Sequence, residues 1–128
     1  MYRVECVEAF LLDVGCSAGS AQQWALVAEE LFANIMGNAW PGREPGHCSI
    51  EVTAVAKPDV IHVSLRAEDD GIAFDPLQAE PPDLEATLED RPIGGLGIMF
   101  IKTMTDHQSY QRIDGHNIFA VAKDCQRA

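Results

Sequence analysis

Apolar residues recur at helical spacing between Ser20 and Trp40, where Trp24, Val27, Ala28, Leu31, Ile35 and Ala39 form one stripe. Ser20 with Gln23 three residues later carries a capping-box signature, so this helix is expected to start at Ser20 and to stop at Pro41-Gly42. Before it, Val4, Val7, Phe10, Leu11 and Val14 predict a short helix over 3–14, broken by Gly15 to Gly19. The period then changes to two. Ser49 to Ala56 and Val60 to Asp69 alternate as strands around a turn at Lys57-Pro-Asp59. Ile61, Val63, Leu65 and Ala67 share the apolar face of the second strand, and the same phase turns Asp69 inward. Phe74 to Pro92, rich in proline and acid, reads as a mobile loop; Ile98 to Asp106 reads as a helix. Gln108 to Ile113 and Asn117 to Lys123 flank Asp114-Gly115, a hairpin signal.

At 128 residues this pattern makes one domain, 1–128, with enough apolar positions for a core. A net charge of −11 leaves no basic stripe for a phosphate backbone, which argues against nucleic-acid binding. It leaves ATP open, because a divalent cation and backbone N–H groups neutralise phosphates locally. Cys6, Cys16, Cys48 and Cys125 form no Cys-x-x-Cys pair, and Met1 to Leu12 is interrupted by Arg3, Glu5 and Glu8, so no secretory signal is expected. No apolar run reaches the roughly 20 residues of a membrane span. The expectation is a cytoplasmic protein with reduced thiols.

Three segments carry candidate chemistry. Glu30, Asn34 and Asn38 fall four apart and stack in one row along the long helix. A polar row alone is an ordinary solvated face. Asparagine is a poor helix-interior residue, however, and this row borders the Val27–Leu31 edge of the buried stripe. A carboxamide oxygen suits Mg²⁺, and a carboxylate one turn away could serve as a general base. Asp69, a carboxylate facing inward, needs a donor: a helix N-terminus, an arginine, or the exocyclic amine of a ligand such as adenine. Gly71 beside it would let a flat base approach the backbone. Gly94-Gly95-Leu96-Gly97 opens the next helix and places free N–H groups where phosphate could sit, with Arg91 near the outer phosphates. His47, His62, His107 and His116 show no zinc-ligand spacing.

Glu30-x-x-x-Asn34, Asp69-x-Gly71 and Gly94-Gly-Leu-Gly97 resemble, in order, the N, G1 and G2 boxes of the GHKL ATPase superfamily. Asp69-Asp-Gly-Ile-Ala-Phe-Asp-Pro76, Arg91-Pro-Ile-Gly-Gly-Leu-Gly-Ile98, Met104-Thr-Asp106 and Gly115-His-Asn117 are similar to the anti-sigma factor serine/threonine kinases of bacterial partner switching. The resemblance runs from about Val4 to Lys123. It implies a two-layer α/β sandwich, with a mixed, largely antiparallel sheet carrying helices on one face. It implies that Asn34 coordinates Mg²⁺, that Asp69 reads adenine and that Gly95 and Gly97 cradle phosphates beneath a lid formed by Phe74 to Pro92. It assigns Gly71, Ala73, Arg91, Gly94, Leu96 and Asn117 to the nucleotide site, with Asn117 near the adenine. Asn38 joins them, standing where relatives commonly have histidine. Glu30 matches the base that activates a serine on an anti-anti-sigma (STAS) protein. The implied partners are that protein and a sigma factor, and a homodimer is among the arrangements open to the chain. The competing reading is a nucleotide-gated interaction module without transfer activity. The catalytic domain of a histidine kinase fits less well, since the lid is short.

Overall fold

The computed structural model describes residues 4–78 and 95–128. Three helices, α1 (Val4–Asp13), α2 (Ala18–Asn38) and α3 (Gly95–Met104), cover one face of a sheet built from β1 (Cys48–Ala56), β2 (Val60–Asp69), β3 (His107–Ile113) and β4 (His116–Gln126). The strand order is β1-β2-β4-β3. Every pairing among the described residues is antiparallel, so the α+β sandwich is as expected but its sheet contains no parallel pair.

Alternation along β2 determines which face is covered. Ile61, Val63 and Leu65 are at most 1% exposed and meet Val27, Leu31 and Leu11 of the helices, while His62, Ser64 and Arg66 lie on the open face. In antiparallel register, Val121 sits opposite Leu65 and Phe119 opposite Ala67, so β4 continues the same apolar floor. At the end of that floor the pattern turns polar: Asp69 pairs with Asn117, and both are buried.

The boundaries of β2 agree with the alternation, and the β3–β4 hairpin turns at Asp114 (φ 50°) and Gly115 (φ 81°). Two positive φ values in succession make a type I′ turn, which asparagine, aspartate and glycine tolerate best. Strand β4 runs past Lys123 to Gln126, paired against the start of β2. The last described turn of chain also forms a bridge between Arg127 and Cys16.

Helix α2 starts earlier than expected. Its N-cap is Ser17, in extended conformation, whose hydroxyl oxygen accepts from the Ser20 N–H at 3.2 Å. Ser20 lies inside the first turn and its Oγ accepts from Ser17 Oγ. Gly19 disguised this start: it reads as a breaker, yet a helix tolerates glycine for about 1 kcal/mol. Helix α3 is also shifted. Gly95 to Gly97 form its first turn instead of a loop before it, and it ends at Met104.

Ser17→Ala should lower stability by about 1 kcal/mol and Ser20→Ala by distinctly less. Urea midpoints at unchanged m-value measure both.

Candidate nucleotide site

A small cleft, of about 30 Å³, opens where the polar end of the sheet meets the C-terminal half of α2. Leu31, Asn34, Ile35, Asn38 and Ala39 form its helical wall, Ala67, Asp69, Tyr110, Asn117 and Phe119 its floor, and Phe74 with Pro76 its rim. Asn34 and Asn38 on one helix therefore converge with Asp69 and Asn117, distant from them in the chain, on one cavity.

Asp69 is 5% exposed. A carboxylate that has lost its hydration needs hydrogen bonds to persist. The Gly71 N–H and Asn117 Nδ2 both donate to its Oδ1, each at 2.9 Å. Oδ2 makes no hydrogen bond among the described residues, which suits it to accept from a ligand amine at the cleft. Asn117 uses its whole carboxamide on protein. Its Nδ2 also donates to Ile72 O at 2.7 Å, and its Oδ1 accepts from Tyr110 Oη at 2.5 Å and the Phe74 N–H at 3.2 Å. Asn117 thus lines the cleft as the residue that aims Asp69 and holds the 72–74 backbone.

Gly71 has a packing role that the sequence did not show. It makes room for α2, because a Cβ there would collide with the carbonyl and side chain of Ala39. The Ile72 N–H donates to that same Ala39 oxygen at 2.9 Å, so the loop after β2 sits directly on the end of α2. Asp70 fastens this junction from the other side. Its Oδ1 accepts from Trp40 Nε1 at 2.8 Å and the His47 N–H at 3.0 Å. The indole bond foremost, helped by the His47 amide, holds the Asp70 carboxyl below its ordinary pKa. Cys48, opposite Asp69 in register, is pushed up to about 11 by burial and by the two neighbouring carboxylates, so it remains a neutral thiol beside them.

On α2, Asn38 Nδ2 donates to Asn34 O at 2.9 Å and more weakly to Asn34 Oδ1 at 3.4 Å. Asn38 thereby steadies the Asn34 carboxamide, which keeps acceptor capacity on Oδ1. One turn earlier, the half-buried Glu30 reaches α3: a Cβ on Gly97 would lie 2.5 Å from Glu30 Oε2. The carboxylate therefore stands beside the first turn of α3, whose N–H groups have no partner within the helix. Leu96 (43% exposed) and Ala73 face outward. Arg91, Gly94 and the lid beyond Gln78 lie outside the described residues.

Mg-ATP can be tested against these side chains. The described residues contain no cluster of three or more His, Cys, Asp or Glu able to hold a metal. Mg²⁺ does not require one, because it binds through one or two protein oxygens together with phosphates and water. Asn34 Oδ1 supplies such an oxygen, so the donor set fits.

Sequence reasoning did not find Tyr110, Trp40 or the fastening role of Asp70. Aspartate in a turn is too common to stand out, and nothing local in the chain links Trp40 to a residue thirty positions away.

Comparison with known proteins agrees with this geometry. The model of the histidine kinase-like ATPase domain matches residues 4–123. The chain belongs to that family. Over 93 residues it is also 38% identical to the serine/threonine-protein kinase BtrW of Bordetella bronchiseptica, covering 72% of this chain and 62% of that protein. As a histidine kinase-like ATPase domain it binds ATP, and the cleft bounded by Asp69 and Asn34 is the candidate place.

Two outcomes check the junction. Gly71→Ala should destabilise by about 1–3 kcal/mol, since the methyl meets backbone with little freedom to yield. The Asp70 contribution is present above the ordinary carboxylate pKa of about 4 and disappears as pH falls through its lower folded value. The stability gap between wild type and Asp70→Asn should therefore be widest near neutrality and close below about pH 4 in urea titrations.

Proposed function

We propose that the chain is an ATP-dependent serine/threonine kinase of the partner-switching kind, with Asp69 selecting adenine and Glu30 acting as general base. The observation that carries this reading is the placement of Glu30. It lies one turn from Asn34 and against the first turn of α3, at the opposite end of the row from the Asp69 cleft. A base near the phosphate end and remote from the adenine end is the arrangement that transfer, as opposed to binding alone, requires.

The expected chemistry follows from the positions. Asp69 Oδ2 accepts from the adenine amine and fixes the base in the cleft. The backbone N–H groups at the start of α3 receive phosphate oxygens. Asn34 Oδ1 would hold Mg²⁺, which when present would supply neutralisation of the phosphate charge. The substrate hydroxyl oxygen forms a bond to the γ-phosphorus while the bond from that phosphorus to the β–γ bridging oxygen breaks. Glu30 takes the hydroxyl proton, and ADP departs. The proposed acceptor is a serine or threonine of an anti-anti-sigma (STAS) protein, and in the ATP-bound state the chain would sequester a sigma factor. The name of the Bordetella relative supports the kinase part, while the chain aligns with 62% of that protein's length.

Asp69→Asn should reduce ATP affinity at least about a hundredfold, since it puts a second donor where an acceptor is needed (about 2.7 kcal/mol). Glu30→Ala should keep ATP affinity within about threefold while phosphoryl transfer to a STAS substrate is lost. Calorimetry with Mg-ATP and radiolabel transfer read these separately. Equal loss of affinity in both variants would sink the assigned roles. Wild-type binding with no transfer would favour the nucleotide-gated module.

A further inference from the structure

Beyond Glu30 the seam between α2 and α3 opens outward as a groove between the two helices. Glu30 stands against Gly97, while Met104 at the other end of α3 borders the first turns of α2 beside Ser20 and Trp24. The two helices therefore run antiparallel. Leu26, one turn before Glu30, and Ala33, one turn after it, lie along the same edge of α2, and both are exposed. On α3, Leu96 precedes Gly97 and Met99 follows it within a turn. These positions are apolar yet open to water: Leu26 is 48% exposed, Leu96 43% and Met99 42%. Single exposed leucines are ordinary, but these three stand around the carboxylate to which the base role has been given.

Charge around the groove is one-sided. From Val4 to Trp40 the chain has no lysine, arginine or histidine, and Glu29 adjoins Glu30 on α2. Lys102, the one cation of α3, lies on another flank of that helix, where its Nζ donates to Leu77 O at 3.3 Å. Phosphate would arrive at the N-terminus of α3, so an acceptor hydroxyl has to reach Glu30 from the solvent side, across the groove.

We propose that this groove selects the acceptor, a serine or threonine whose flanking side chains are apolar and which has no acid beside it. Leu26 and Leu96 cover the flanking side chains, and Glu29 repels acidic ones. The proposal rests on the reading of Glu30 as the base.

Short peptides with a central serine flanked by leucine, lysine or aspartate test it on the intact protein with Mg-ATP. The leucine-flanked peptide should have the lowest KM, the aspartate-flanked one a KM at least about tenfold higher, and the lysine-flanked one a value between them. Leu26→Lys, at an exposed position remote from the Asp69 cleft, should raise KM for the leucine-flanked peptide about tenfold with kcat within about twofold. The same variant should lower KM for the aspartate-flanked peptide. Amide ¹H–¹⁵N shifts at Leu26, Ala33 and Met99, read with a non-hydrolysable ATP analogue, separate docking from transfer. A leucine-flanked peptide that shifts these amides without being phosphorylated upholds the groove and counts against Glu30 as the base. Equal KM for the peptides, an unchanged preference in Leu26→Lys, or no shift at these amides with any peptide would overturn the groove.

Discussion

The fold is organised around a carboxylate held out of water. Burying Asp69 at the end of an apolar strand would cost several kcal/mol if it were left without hydrogen bonds. Asn117 is what makes the position tolerable. Its carboxamide donates to Asp69 and Ile72 and accepts from Tyr110 and Phe74, so one side chain joins β2, β3, β4 and the loop after β2. Because all four bonds go to protein, Asp69 is aimed by a rigid frame. A ligand therefore meets an acceptor already in place and need not supply the energy to order it. The same frame explains why Asp69 retains an unused oxygen: the protein concentrates its own donors on Oδ1.

The junction outside the cleft has an equally specific cause. Helix α2 ends at Asn38, and the Ala39 carbonyl that follows receives the Ile72 N–H. Only glycine at position 71 allows that approach. Trp40 and the His47 backbone then close on Asp70, leaving no room for a Cβ at Gly46. Asp69, Asp70 and Gly71 thus divide three tasks. The first faces the cleft, the second fastens the strand entry, and the third admits the helix end.

Much of this was legible because strict periodicity carries position. The two-residue period of β2 led to both its boundaries and the inward direction of Asp69, and the helical spacing of Glu30, Asn34 and Asn38 led to their shared row. What escaped was contact between segments. Ser17 was overlooked as a cap because Gly19, one turn inside, looked like a helix breaker. The third helix was read from Ile98, although Gly95 and Gly97 already belong to it and Gly97 leaves space for Glu30. Gly71 was read as a place of close backbone approach, and the end of α2 makes such an approach there. Nothing in a linear pattern could show that Asn117 would spend its hydrogen bonds on protein, or that Tyr110 would share them. Arg91, Gly94 and most of the lid lie outside the described residues.

A single rigid element sets the spacing of the chemistry. Along α2, Glu30 and Asn34 are separated by about 6 Å of helical rise, and Glu30 and Asn38 by about 12 Å. These separations cannot change without breaking backbone hydrogen bonds, so the positions of Glu30 and the carboxamides relative to the Asp69 cleft are fixed by the helix. The adjustable distance is the one between α2 and α3. Glu30 spans this gap, and a methyl group at position 97 would displace its carboxylate tip. Any motion of α3 relative to α2 would shift the carboxylate against the N–H groups proposed to hold phosphate. Helix–helix packing, which is set by Val27, Leu31 and Ile101 in the core, consequently governs where the Glu30 carboxylate stands.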